Sequence, residues 1–153
     1  MMVGPAAERT ALVRHTSRLL VAGAALRVPL IAVVLRRAYG LGAQAMMAGS
    51  LKEPALTVAW PGAHLGPMGL EGAVRLGLRR ELDALSESAR EQRVRELTAG
   101  LQENARAINA AAIFELDDVI DPADTRGVIA ATLAAATSHT AQGSEPRRFV
   151  DTW

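Results

Sequence analysis

The sequence contains no cysteine, so it has no disulfide framework, no thiolate metal site and no cysteine nucleophile. Aromatic residues fill only 3% of its 153 positions, too few rings for a surface that stacks single-stranded nucleic acid. Lysine occurs once, at Lys52, and the formal net charge is +1, so overall charge gives no push toward nucleic acid or anionic lipid. The most apolar stretch, Leu19 to Leu35, is interrupted by Arg27 and Pro29 and falls short of the ~20 clean residues of a membrane span. The opening residues, Met1 to Arg9, lack the basic-then-apolar order of a signal peptide. These absences predict a soluble, cytoplasmic chain with neither nucleic acid nor membrane among its partners.

What is present is half hydrophobic, rich in Ala, Leu, Val and Gly, with 22% charged residues and a mean hydropathy of +0.14. That balance excludes wholesale disorder. At 16.2 kDa the chain is one domain or a piece of one. Up to Ser50 the basic residues Arg9, Arg14, Arg18, Arg27, Arg36 and Arg37 face the single acid Glu8. An anionic partner could use this excess, but solvated arginines on helix faces explain it more cheaply.

Pro5 can open a helix, and Leu12, Thr16, Leu19, Gly23 and Leu26 recur at helical steps until Pro29 stops them. Leu30 to Leu35 is a continuous apolar run of the kind a strand covered on both faces requires, and the short run Leu56-Thr57-Val58-Ala59 reads as another buried strand. Between them, Ala43 to Ala48 favours helix, and so does the stretch from about Gly69 to Arg80. A long amphipathic helix is expected from Glu87 to Ala112. Asp121-Pro122-Ala123-Asp124 reads as a helix start, with a capping carboxylate ahead of proline. That last helix is expected to run to about Ala136. Residues 1–137 then form the domain and 138–153 an exposed tail. Strands alternating with helices predict a layered α/β arrangement.

Side chains that could carry chemistry are few. His15, His64 and His139 share no metal-ligand spacing, and Glu115, Asp117, Asp118 and Asp121 lack the pattern of a calcium loop. Capping and surface charge account for those acids, and Met46, Met47 and Met68 read as core filler. No triad, dyad or metal site emerges. The backbone offers more. A buried strand entering Tyr39-Gly40-Leu41-Gly42-Ala43 and then a helix leaves main-chain N–H groups free for an anion or a developing oxyanion. The same pattern also serves as a plain tight connection.

Val28-Pro29-Leu30 and Val34 to Met46, with the core Arg36-Arg37-Ala38-Tyr39-Gly40-Leu41-Gly42-Ala43, resemble the carboxyltransferase (beta) subunit of biotin-dependent acyl-CoA carboxylases. Val58-Ala59-Trp60-Pro61, Met68 to Val74 and Asp117 to Arg126 are similar to that family in the same order, and Phe149 to Trp153 resembles its C-terminus. The resemblance implies a crotonase-like (ClpP-like) superhelix of strand-strand-helix units, incomplete at its N-terminal end. It implies transfer of a carboxyl group from carboxybiotin to the α-carbon of an acyl-CoA. The N–H groups of Leu41 and Gly42 would stabilise the ureido oxygen, and Tyr39, Gly40 and Ala43 would shape the biotin pocket. Trp60, Pro61 and Gly66 would border the substrate channel, although for Trp60 core packing at a strand end is the favoured reading. No metal is implied. The implied partners are a biotin carboxyl carrier or biotin carboxylase subunit, the N-terminal carboxyltransferase domain of another subunit, and further copies in a homo-oligomer.

Two departures stand out. Pro67 occupies a position where a flexible glycine is expected, and the chain begins just after the point where the family carries an Asp-Thr-Pro-Gly-Phe stretch. The thioester-binding half is therefore expected to be absent and the chain inactive alone. The competing reading is a non-catalytic assembly module, or a gene relic, that docks onto full-length subunits. A hydratase-type crotonase fits worst, because Glu71 has no paired glutamate.

Overall fold

The computed structural model describes residues 4–140. Helices α1 (Pro5–Glu8) and α2 (Leu12–Ala24) precede strands β1 (Ile31–Val34) and β2 (Arg37–Tyr39), which lead directly into α3 (Gly40–Met46). Strands β3 (Leu56–Ala59) and β4 (His64–Gly66) follow, then α4 (Leu70–Gly77), α5 (Arg79–Asp83), α6 (Glu87–Asn104) and α7 (Ala107–Ala112). Strand β5 (Asp118–Val119) passes through a 3-10 turn at Pro122–Asp124 into α8 (Thr125–Thr140).

The named strands pair in parallel, and an isolated antiparallel bridge joins His64 to Arg106. One sheet has the order β1-β3-β5 and a second pairs β2 with β4. The first strand of each unit enters the larger sheet, the second enters the smaller one, and a helix closes the unit. This is the strand-strand-helix repeat of a crotonase-like α/β superhelix, and among the described residues its third unit contributes only β5 and α8.

The core lies where the units stack. Val34, Met47, Ala59, Ala63, Leu65, Ala107 and Leu116 form one buried cluster. Leu116 is 2% exposed, a burial worth about 1.5–3 kcal/mol. Thr57, buried in β3, donates its amide to Asp117 Oδ2 at 2.7 Å and its hydroxyl to the Leu51 carbonyl at 2.7 Å. Asp117 thus ties β5 to β3, a structural duty beyond the surface charge expected of it. Helices α4, α5 and α6 form an arm with its own core of Val74, Leu82 and Val94. On the arm's surface, Arg75 pairs with Glu71 and Glu91 at 2.9 Å each. Hydrogen bonds to Glu91 first, then Glu71, hold its guanidinium above its ordinary pKa.

Several expectations are corrected. The first helix splits because Ala11 adopts a left-handed backbone, φ 59°, between α1 and α2. Gly23 of α2 packs so closely that a Cβ there would stand 2.8 Å from Ala48 Cα. In β1 only Val34 is fully buried, since β1 is an edge strand rather than one covered on all sides. The long helix breaks at Ala105–Arg106, where the backbone turns extended to pair with β4. Of the three methionines, Met47 is buried, whereas Met46 and Met68 are exposed. The Asp121 cap forms as expected, its carboxylate accepting from the Ala123 amide at 2.8 Å. The last helix continues to Thr140, and the remainder of the expected tail, 141–153, lies outside the described residues.

Candidate functional site

The junction of β2 and α3 is shaped by its glycines. Tyr39 is extended (φ −121°, ψ 135°), Gly40 is left-handed (φ 56°), and the helix begins without a side-chain cap. A Cβ on Gly40 would stand 2.7 Å from the Pro67 carbonyl oxygen, so the loop after β4 lies directly on this turn. The Tyr39 ring packs on Gly66, 3.6 Å from where a Cβ would sit. The Pro67 departure therefore falls at the tightest contact of the site: its carbonyl closes one side of the turn, and only glycine fits beneath it.

First-turn amides of a helix have no carbonyl one turn behind them. Among the described residues, no side chain and no carbonyl of a loop accepts a hydrogen bond from the Leu41 or Gly42 amide. Beside them opens a cleft of about 610 Å³, within the roughly 300–1,000 Å³ usual for small-molecule sites. Gly40, Leu41 and Ala43 line one wall, Leu65, Gly66 and Pro67 a second, and Asn104, Ala105, Asn109, Ala110 and Ile113 a third. Free amide donors at the edge of a largely apolar cleft can stabilise an oxyanion without any acid or base side chain.

The expected site residues are only partly brought together. Gly40, Leu41, Ala43 and Gly66 line the cleft, with Gly42 in the same helical turn and Tyr39 immediately before it. Trp60 and Pro61 are not among the lining residues. The Trp60 indole donates to Thr125 Oγ1 at 3.0 Å, and that hydroxyl donates to the Pro122 carbonyl at 2.8 Å. The indole thereby fastens the end of β3 to the start of α8, in keeping with the packing reading of Trp60.

The third wall has no expectation behind it. It exists because Leu65 donates its amide to the Ala105 carbonyl (2.7 Å) and Ala107 donates to the Ala63 carbonyl (2.9 Å), joining the α6–α7 break to β4. This brings Asn104, Asn109 and Glu115 to the cleft. Asn109 Nδ2 donates to the Glu103 carbonyl at 2.6 Å, which holds the end of α6 against α7. A stop signal inside the apparently continuous helix could have revealed the wall, but Ala105 and Arg106 are ordinary helix formers.

A family model described as a carboxyl transferase domain matches residues 1–150. The chain is 39% identical over 128 residues to the methylmalonyl-CoA carboxyltransferase 12S subunit of Propionibacterium freudenreichii subsp. shermanii, an alignment covering 82% of this chain and 24% of that subunit. The structure of a single-chain, multi-domain long-chain acyl-CoA carboxylase superposes with a TM-score of 0.79 at 48% identity, over 86% of this chain and 13% of that one. The crystal structure of the transcarboxylase 12S hexamer with methylmalonyl-CoA bound superposes with a TM-score of 0.71 at 34% identity, over 97% of this chain and 28% of that one. The chain thus spans about a quarter of the length of the 12S subunit it matches. No helix among the described residues is long and apolar enough to cross a membrane.

Proposed function

The chain belongs to the carboxyl transferase domain family, and from that premise we propose that it forms the carboxybiotin half of an acyl-CoA carboxyltransferase site. The observation that carries this reading is the pair of first-turn amides, Leu41 and Gly42, that no side chain caps and that stand beside the cleft. Carboxybiotin, delivered on a partner protein, would supply the carboxyl group: its N–C bond breaks, the acyl-CoA α-carbon gains the carboxyl group, and the α-proton that leaves is balanced by the one the biotin ring nitrogen regains. The Leu41 and Gly42 amides donate to the ureido oxygen, on which negative charge builds as the carboxyl group departs. Because that charge is absent from the ground state, the amides favour the transition state selectively. Gly40 and Ala43 leave room for the ring system, and Gly66 with Pro67 closes it in.

The thioester is held by a second domain, contributed by another subunit or by a longer form of the same polypeptide, and the assembled enzyme is a cytoplasmic oligomer. The exposed apolar residues Leu41, Ile113 and Phe114 support this, since they stand at the cleft or next to it where such a domain would cover them. The test is complementation. The purified chain alone is expected to transfer no carboxyl group from carboxybiotin to propionyl-CoA or acetyl-CoA. Addition of a family N-terminal domain, or fusion to one, is expected to restore transfer. Full activity of the chain alone would refute the half-site. A stable complex with full-length subunits that never contributes to turnover would favour the assembly module instead.

A further inference from the structure

Across the smaller sheet, two arginines and a histidine stand in one row. Arg37 on β2 is the register partner of His64 on β4, and Arg106, at the α6–α7 break, bridges to His64 from the other side. Register partners project to the same face of a sheet. The alternate residues Ala38, Leu65 and Ala105 line the cleft, so the row occupies the opposite face. Neighbouring strands lie about 4.8 Å apart, which places Arg37 and Arg106 on either flank of His64 with arms long enough to meet over it.

The row is under-neutralised. Among the described residues no ion pair or hydrogen bond engages the side chain of Arg37 or His64. Arg106 holds Glu103 at 3.3 Å, with both side chains half exposed or more. The arm, by contrast, matches Arg75 and Arg93 with glutamates. Two guanidinium forks flanking an imidazole exceed what one carboxylate can accept. They suit the three terminal oxygens of a phosphoryl group, each fork taking two of them or sharing one.

We propose that Arg37, His64 and Arg106 bind a phosphoryl group, monoester or diphosphate, on the face of the smaller sheet opposite the cleft. The proposal is independent of the carboxyl-transfer reading, because it uses none of the residues assigned to that site.

The test is titration of the full chain at fixed pH and ionic strength, following the histidine ring signals by NMR, with His64 assigned through His64→Gln. Inorganic pyrophosphate and AMP are expected to shift the His64 signals saturably, leaving His15 unmoved, and adenosine to shift nothing. Arg37→Gln and Arg106→Gln should each weaken binding by roughly tenfold. Arg36→Gln makes the same charge change one position away, on the alternate phase of the strand, and should alter it less than twofold. Glu103→Gln, which releases Arg106, should tighten binding and gives a gain of function that misfolding cannot mimic. Tighter binding of AMP than of inorganic phosphate identifies a nucleotide ligand, and equal binding a free phosphate; both support the site. Absence of a saturable His64 shift up to about 10 mM overturns it. So does an equal loss in Arg36→Gln and Arg37→Gln, which would mean diffuse attraction only.

Discussion

Replacing Leu41 by proline removes one N–H from the candidate oxyanion site while leaving the surrounding chain nearly unchanged. The amide sits in the first turn of α3, where proline is tolerated. The residue ahead of it is Gly40, which has no Cβ to collide with the pyrrolidine ring. No side-chain or loop acceptor within the described residues loses a partner with that amide. Leu41→Ala is the reference, since it deletes the same side chain and keeps the donor. One amide aimed at a developing oxyanion is worth about 10²–10³ in kcat, or about 2.7–4 kcal/mol. Leu41 is 48% exposed, so water competes at this edge and the lower end, about a hundredfold, is the expected ratio between the two variants. The assay is single-turnover carboxyl transfer in the complemented enzyme, with KM for the acyl-CoA and the melting temperature measured beside it. Both of these should match between the variants. If Leu41→Pro transfers within threefold of Leu41→Ala and melts alike, that amide faces no developing charge and the assignment fails.

Other perturbations probe the frame that holds the site. Gly40→Ala places a methyl group 2.7 Å from the Pro67 carbonyl oxygen at φ 56°, and should lower stability by roughly 1–3 kcal/mol in denaturant titrations. Trp60→Phe removes the indole bond to Thr125 at a cost of about 1 kcal/mol, and should speed amide hydrogen exchange at the start of α8 without changing the cleft. Leu82→Ala empties the arm's own core and should cost about 2–5 kcal/mol there. Exchange should then accelerate across α4–α6 while the amides of β3 stay protected, because the two cores share no buried residue.

The parts of the fold that could be read from sequence are those with long or chemically distinctive signals. The short run Leu56–Ala59 became β3 with the expected bounds, because a buried central parallel strand leaves a largely hydrophobic signature. Asp121 capped its turn because proline and carboxylate together leave the backbone few alternatives. Strands β2 and β4 escaped notice: three residues such as Arg37-Ala38-Tyr39 or His64-Leu65-Gly66 carry no period to detect. The helix break at Ala105–Arg106 is imposed by pairing with β4 against local propensity. For the same reason two walls of the cleft could be anticipated from glycines and resemblance. The wall carrying Asn104 and Asn109 could not.

The pair of backbone bonds joining residues 63 and 65 to 105 and 107 has an evolutionary corollary. It makes that stretch intolerant of length changes, since one inserted or deleted residue there would swing the whole of α7 out of phase with the strand beneath it. Gaps among homologous chains should therefore gather in the α5–α6 connection around Ala84–Ser86, which is free to lengthen, and avoid the splice altogether.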